Sequence, residues 1–270
     1  MIGLFLSGTG NTKHCTELFL HAWDERACAV PIESPDAAKL AAAQDVILLA
    51  YPTQFSNIPY MIRDFIHKNA ALWPGKHVFC LNTMGLFSGD GTGCAARLLK
   101  KYGAHILGGL QIPMPDSVCD SKLLKKSEDK NLELIQMANQ KLLAAAAQIK
   151  RGAFPQEGLG LLDHMAGLFG QRLWFYSKTR GYCNRLKISD ACIGCGLCAN
   201  RCPMHNLILE QGKAKAGDRC TMCYRCISSC PRQAITLLGK EIVEQYRFER
   251  FEQFERPHLS IDKHPKNTIH

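Results

Sequence analysis

Hydrophobic and polar positions along the first half of the chain follow two alternating periods. Near-continuous apolar runs at Ile2–Leu6, Ala27–Ile32, Asp45–Ala50, His77–Asn82 and Ala104–Gln111 predict five β-strands. Between them apolar residues recur at helical spacing, as Cys15, Leu18, Phe19 and Ala22 do after the first run. Strands apolar on both faces and joined by helices pair in parallel, so the predicted fold class is α/β, a doubly wound parallel five-stranded sheet. A Leu- and Ala-rich helical pattern from Lys125 to Lys150 closes this region, which we delimit as 1–150.

Residues 151–185 read as a connector. Leu162, Met165, Phe169, Leu173 and Tyr176 fall on one helical face, expected to pack between two domains; Trp174 and Phe175 give the alternative of docking to a partner or a membrane surface. Residues 186–240 are a small cysteine-rich unit, and 241–270 a charged, aromatic tail. Its Tyr246, Arg247, Phe248, Arg250, Phe251 and Phe254 are expected to fold back over the cysteine-rich unit, with Pro257–His270 loose.

Eight of the fourteen cysteines stand in that unit at a repeated spacing. Cys192, Cys195, Cys198 and Cys202-Pro203 are followed, 28 residues on, by Cys220, Cys223, Cys226 and Cys230-Pro231, so that C-x2-C-x2-C-x3-C-P occurs twice. A cube of four irons and four sulfides needs one thiolate per iron. A tight C-x2-C-x2-C loop wraps three corners and cannot turn back to the fourth. Paired C-x2-C motifs also bind zinc, but a tetrahedral zinc site has no use for a third cysteine in register or for two Cys-Pro endings. Gly194 and Gly196 allow close backbone approach to the cluster sulfurs, whereas Met222 and Tyr224 in the second half should shield its cluster better.

From about Lys187 to Leu238 the chain resembles the bacterial two-cluster ferredoxins, with Leu207-Ile208 and Ala234-Ile235 at the positions those proteins use as core. The resemblance implies a small α+β two-cluster ferredoxin-like domain. In such runs the fourth cysteine of each half serves the other cluster. Carried onto this chain, one [4Fe-4S] cluster falls to Cys192, Cys195, Cys198 and Cys230, and the second to Cys220, Cys223, Cys226 and Cys202.

At the other end, the first strand runs into Ser7-Gly8-Thr9-Gly10-Asn11-Thr12 and then a helix, the order of a phosphate cradle. The loop lacks the Gly-Lys-Ser/Thr of a Walker motif, and Lys13 stands where a Rossmann fingerprint needs glycine. It resembles the flavodoxin signature, which implies strand order 2-1-3-4-5 and FMN at the switch point between strands 1 and 3. On that resemblance Ser7, Thr9, Gly10, Asn11 and Thr12 hold the phosphate. Tyr51, Pro52, Thr53 and Phe55 after strand 3, and Thr83, Met84 and Gly85 after strand 4, lie nearest the ring. Gly91-Thr92-Gly93-Cys94-Ala95-Ala96, with Asp116 downstream, offers a competing nicotinamide-type reading. The remaining region carries Cys15, Cys28, Cys80, Cys94 and Cys119 without ligand spacing, read as small buried thiols.

Composition changes this picture in three places. No run of about 18 apolar residues predicts a membrane span, and Met1 leads straight into a strand without a signal segment, so a cytoplasmic location is expected. Fourteen cysteines in a reducing compartment favour metal ligation over disulfides. The net charge of +9 partly compensates anionic clusters and phosphate; the remainder is free to steer an acidic redox partner, and no motif accompanies it that would read nucleic acid. As a whole the chain resembles the flavodoxin and ferredoxin fusion proteins of anaerobic bacteria. That implies an electron-transfer protein linking FMN, two [4Fe-4S] clusters and a redox partner protein. Two alternatives stand beside it: a flavin-dependent oxidoreductase acting on a small substrate with the clusters as supply, and a redox sensor or cluster scaffold. No residue constellation for acid or base catalysis stands out, and oligomeric state is open.

Overall fold

The computed structural model describes residues 1–85, 87–169, 173, 181, 182 and 184–252. Five parallel strands, β1 (Ile2–Phe5), β2 (Cys28–Pro31), β3 (Val46–Pro52), β4 (His77–Met84) and β5 (His105–Pro113), form one sheet in the order β2-β1-β3-β4-β5. All five expected strands are present, and the order is that of a flavodoxin-like doubly wound sheet. Period-2 alternation sorts the side chains of β3 onto two buried faces. Leu48 and Ala50 join Phe19, Phe79 and Leu142 on the side covered by α1 (Asn11–Trp23) and α5 (Glu128–Lys150). Ile47, Leu49 and Tyr51 join Ile62, Ile66, Ala95 and Leu99 beneath α2 (Ala37–Ala42), α3 (Tyr60–Lys68) and α4 (Gly91–Lys101). The apolar run of β3 is nearly unbroken because neither face meets water.

The cysteine-rich unit is a pseudo-symmetric pair of halves. Two short antiparallel ladders, β6 (Lys187–Ile188) with β9 (Ile235–Thr236) and β7 (Leu207–Glu210) with β8 (Lys213–Ala216), flank helical turns at Leu197–Arg201 and Arg225–Ser229. The turns enter through matching left-handed residues: Gly194 (φ 68°) and Gly196 (φ 75°) in the first half, Met222 (φ 55°) and Tyr224 (φ 58°) in the second. The second half thus keeps the backbone of the first without glycine, at a cost of order 1–3 kcal/mol per residue. Tyr224 is offset by burial and by a hydrogen bond. Ile208, expected in the core beside Leu207, is instead exposed, as is Leu209; of β7 only its first residue, Leu207, reaches the core of the unit.

The two units share a seam built on Asp120, in the segment after β5. Its carboxylate is buried and accepts hydrogen bonds from the Tyr224 hydroxyl at 2.8 Å and from the backbone N–H groups of Leu237, Leu238 and Gly239 at 2.7, 2.8 and 3.1 Å. Val118 and Cys119 pack into the core of the cysteine-rich unit with Ile227 and Leu237. Burial, followed by the charge of Asp120, pushes the Tyr224 phenol far above its ordinary pKa, so it remains a donor.

Three expectations are corrected. The tail divides: Ile242 packs on the cysteine-rich unit and Gln245 Nε2 donates to Ile227 O at 2.8 Å and Cys230 O at 2.7 Å, whereas the aromatics Tyr246, Phe248 and Phe251 join the core between α1 and α5. Phe254 and Pro257–His270 lie outside the described residues. The connector helix α6 (Leu161–Gly167) does not pack between the units. His164 bonds Asp90 at 2.8 Å and Gly167 lies against Gly89, while Leu161, Leu162 and Met165 are exposed; Trp174, Phe175 and Tyr176 lie outside the described residues. Of the thiols read as buried, Cys15, Cys80 and Cys119 are so, Cys94 is half-buried, and Cys28 is exposed on the edge strand. Burial pushes Cys80 up to about 12 and Cys119 up to about 11, which makes both inert.

The seam makes a graded prediction. Asp120→Ala strands a phenol and three amides and should lower stability by at least about 3 kcal/mol, whereas Tyr224→Phe, which removes one donor, should cost about 1 kcal/mol. Urea titrations followed by circular dichroism check the order; equal midpoints for both variants would refute a carboxylate-centred seam.

Candidate functional site

Local turns bring the eight motif cysteines to two cavities. Cys192, Cys195, Cys198 and Cys230 line one, together with Gly194 and Ile235. Cys202, Cys220, Cys223 and Cys226 line the other, with Met222 and Tyr224. In each cavity three cysteines come from one half and the fourth from the other, because each C-x3-C-P helical turn carries its last cysteine across the pseudo-axis. The other wall residues are mostly apolar, with Arg232 on the first cavity and Asn206 and Thr221 on the second, and among the described residues no Lys or acidic side chain lines either one.

Backbone amides aim at the sulfurs. Ala214 N–H lies 3.4 Å from Cys192 Sγ and Ala234 N–H 3.3 Å from Cys230 Sγ in the first set; Met222 N–H lies 3.4 Å from Cys220 Sγ and Asn206 N–H 3.3 Å from Cys202 Sγ in the second. The amides of Ala214 and Gly194 hold the Cys192 thiol below its ordinary pKa. Burial pushes Cys198, Cys223 and Cys226 up, and for Cys226 the neighbouring Cys223, Cys220 and Cys202 add to it. Four acidic groups crowded in an apolar pocket repel one another when ionised, so the thiolate form needs cationic metal between them. The donor set, four cysteines per cavity, fits a four-iron cluster.

The sets differ in surroundings. The loop at Cys195 opens to solvent, with Ile193 and Leu209 exposed beside it. The loop at Cys223 faces the carboxyl edge of the sheet. A Cβ on Gly8 would collide with the Cys223 carbonyl, Gln54 Nε2 donates to Thr221 O at 2.9 Å, and Arg225 donates to Ser7 O at 2.7 Å while pairing with Glu33 at 2.6 Å. The partners of Arg225 come from loops distant in the chain, and no local signal in the sequence marks them.

Along that carboxyl edge stand the residues expected to hold FMN. The N-terminus of α1 has no side-chain cap and no acid in its first turn, so the chemistry there suits a phosphate. The side chains of the loop nevertheless have partners within the chain. Thr9 bonds Ser117 at 2.7 Å, Asn11 donates to Pro115 O at 2.8 Å and accepts from the Tyr246 hydroxyl, Thr12 bonds Thr83 at 2.8 Å, and Ser7 Oγ accepts from Gly10 N at 3.2 Å. Phe248 covers Gly10, whose φ of 102° and near contact with Phe248 Cβ leave no room for a side chain.

The ring-side residues divide. Pro52 and Thr53 end β3, Thr83 and Met84 end β4, and Thr53, Ser88 and Asn82 meet across the gap between the two loops. Gly85 abuts the Asp116 carboxyl. Phe55 faces Tyr182 at 6.2 Å between ring centres. Tyr51 is fully buried, its hydroxyl on Gly91 O, and lies beneath the site as core. The uncapped N-terminus of α1 therefore fits an FMN phosphate, and Thr53, Ser88 and Asn82 bond one another between the loops that would border its ring. The competing nicotinamide reading fails on geometry: Gly93 abuts Gly158 O and Thr92 bonds Glu157 O, which fill the N-terminus of α4.

Residues 185–231 match the family of 4Fe-4S dicluster domains. No curated protein matches the chain. Among solved structures, a flavodoxin from the domain Archaea is 15% identical, covering 55% of this chain and 97% of its own, with a TM-score of 0.41. Megasphaera elsdenii flavodoxin is 23% identical over 55% and 99%, TM-score 0.41. The rubredoxin oxygen:oxidoreductase of Desulfovibrio gigas is 13% identical over 56% and 37%, TM-score 0.35. The assignment of the N-terminal fold rests on the strand order of the sheet itself. The chain joins a flavodoxin-like α/β domain to a ferredoxin-like 4Fe-4S dicluster domain.

Proposed function

We propose that the chain is an intracellular electron-transfer protein of the cytoplasm. It carries two [4Fe-4S] clusters in its dicluster domain and FMN at the carboxyl edge of its sheet. The carrying observation is the placement of the two cysteine sets, one against the sheet edge at Gly8 and the other toward solvent at Cys195. When bound, the clusters exchange single electrons and the flavin exchanges one or two, so the pair can divide a two-electron event.

Cys192, Cys195, Cys198 and Cys230 hold the outer cluster. Cys202, Cys220, Cys223 and Cys226 hold the inner one, closer to the sheet. The four N–H···S contacts and the basic residues around both favour the reduced forms. Ser7, Thr9, Gly10, Asn11 and Thr12 hold the FMN phosphate on the uncapped turn of α1. Pro52, Thr53, Phe55, Thr83, Met84 and Gly85 receive the ring once the Thr53–Ser88 contact parts, with Tyr51 supporting them from below. A redox partner protein docks at the exposed loop around Cys195, where Arg232 beside the cavity and Arg201 at the end of the adjacent helical turn favour an acidic surface.

Anaerobic purification should yield about eight irons, eight acid-labile sulfides and one FMN per chain. An iron-free zinc protein would overturn the cluster assignment, and a flavin-free protein that takes up no added FMN would overturn the flavin site alone. Cys202→Ser and Cys230→Ser should each reduce iron from about eight toward about four, with complementary spectra, because each residue serves the set of the opposite half. Loss of the same cluster in both variants would refute the crossed ligation. Gly8→Val should leave iron and flavin content intact yet slow electron exchange between them in stopped-flow reduction, since its branched side chain forces the Cys223 loop away; an unchanged rate would count against the short path.

A further inference from the structure

The two cysteine sets differ in the ion pair that stands beside each. Next to the outer set Lys213 pairs with Asp190 at 2.7 Å, with Asp190 fully exposed and Lys213 half exposed. Water and salt screen such a pair, so its charges are weakly felt at the cysteines. Next to the inner set Arg225 pairs with Glu33 at 2.6 Å, and the two side chains keep only 24% and 19% of their surface in water. Screening there is weaker, and each charge reaches further.

Glu33 belongs to the sheet domain. Ile32 N donates to Phe5 O at 2.9 Å, which carries the ladder of β1 and β2 one step past Pro31 and leaves Glu33 facing the dicluster domain. Arg225 spans the gap from the other side, its guanidinium on Ser7 O at 2.7 Å and on Glu33 Oε1. It stands two residues after Cys223. Burial raises the Cys223 thiol; the N–H and the charge of Arg225 oppose that rise, and the charges of Cys202 and Glu33 add to it. Arg225 and Glu33 thus act on that sulfur in opposite senses. Glu33 Oε2 is buried and meets no donor among the described residues. A buried carboxylate oxygen without a donor lowers stability, and a buried ion pair does little better than an apolar contact, so anchoring the two units is a poor account of this residue.

We propose that Glu33 sets the reduction potential of the inner cluster: its carboxylate, supplied by the sheet domain, offsets the charge of Arg225 and holds that potential below the value Arg225 alone would give. This role rests on the reading that Cys202, Cys220, Cys223 and Cys226 hold a [4Fe-4S] cluster. Reduction adds one electron to the inner site, and with it one negative charge. A fixed anion nearby opposes that addition and a fixed cation favours it. The α/β domain thereby tunes a group that none of its own residues ligates.

The test is an anaerobic potentiometric titration of the full chain with dithionite as the electron source, cluster reduction being followed by electron paramagnetic resonance. Glu33→Gln keeps the size of the side chain and an oxygen for Arg225, so iron content should be unchanged. It should raise the inner step by about threefold or more in the one-electron equilibrium, about 30 mV at about 59 mV per tenfold, and leave the outer step in place. The same rise should appear in a Cys230→Ser background, which keeps the inner cluster, and be absent in Cys202→Ser, which keeps the outer one. Glu33→Asp retains the charge and should stay near the unaltered potential, whereas a purely structural role would be disturbed by the shortened side chain at least as much as by Gln. The Glu33→Gln rise should persist at about 1 M salt, where the Debye length is about 3 Å, while any shift from Asp190→Asn should vanish there. An unmoved inner step, equal shifts of both steps, equal effects of Gln and Asp, or loss of the rise in salt would each overturn the role of Glu33. Absence of a second cluster from the unaltered protein would instead overturn the cluster reading on which that role rests.

Discussion

A buried carboxylate with four donors is the interaction on which the arrangement of the two units depends. Asp120 leaves the sheet domain after its last strand and spends its acceptor capacity on the dicluster domain: one phenol and three consecutive amides. An ionised carboxylate out of water costs several kcal/mol unless its lone pairs are filled, so the donors must stay in place as a group. That requirement fixes Tyr224, which adjoins Cys223, and thereby sets the inner cysteine loop against Gly8. The spacing between a cluster cavity and the sheet edge is thus set by hydrogen-bond satisfaction at a residue that touches neither.

The two halves of the dicluster domain show how one backbone tolerates two sequences. Glycines supply left-handed turns in the first half; a methionine and a tyrosine adopt them in the second. Tyr224 recovers its cost through burial and Asp120, which the glycine version at Gly196 does not have.

Much of this was legible in the sequence, and for identifiable reasons. The strands of the sheet are covered on both faces, so their apolar runs stand out; the cysteine spacing marks the two ligand loops, and the ferredoxin resemblance it carries implies the exchange of Cys202 and Cys230, which line the cavities of the opposite halves. Long-range partnerships left no such mark. Asp120 is one acid among many in a loop, and Arg225 reads as a surface base until Ser7 and Glu33 are seen beside it. Tyr51 was legible as an aromatic at a strand end, but its direction depends on register, and the register of β3 turns it inward onto Gly91. The tail misled because aromatic composition announces burial without naming the surface that receives it.

That tail has a consequence for how the protein is made. Tyr246, Phe248 and Phe251 follow the dicluster domain in the chain, yet they finish the hydrophobic layer between the first helix and the fifth. A nascent chain ending at residue 150 has every strand of its sheet but exposes an oily flank. The N-terminal domain therefore reaches its mature state only after the iron-binding portion has been synthesised, and gene fragments cut at the apparent domain border should be prone to aggregate.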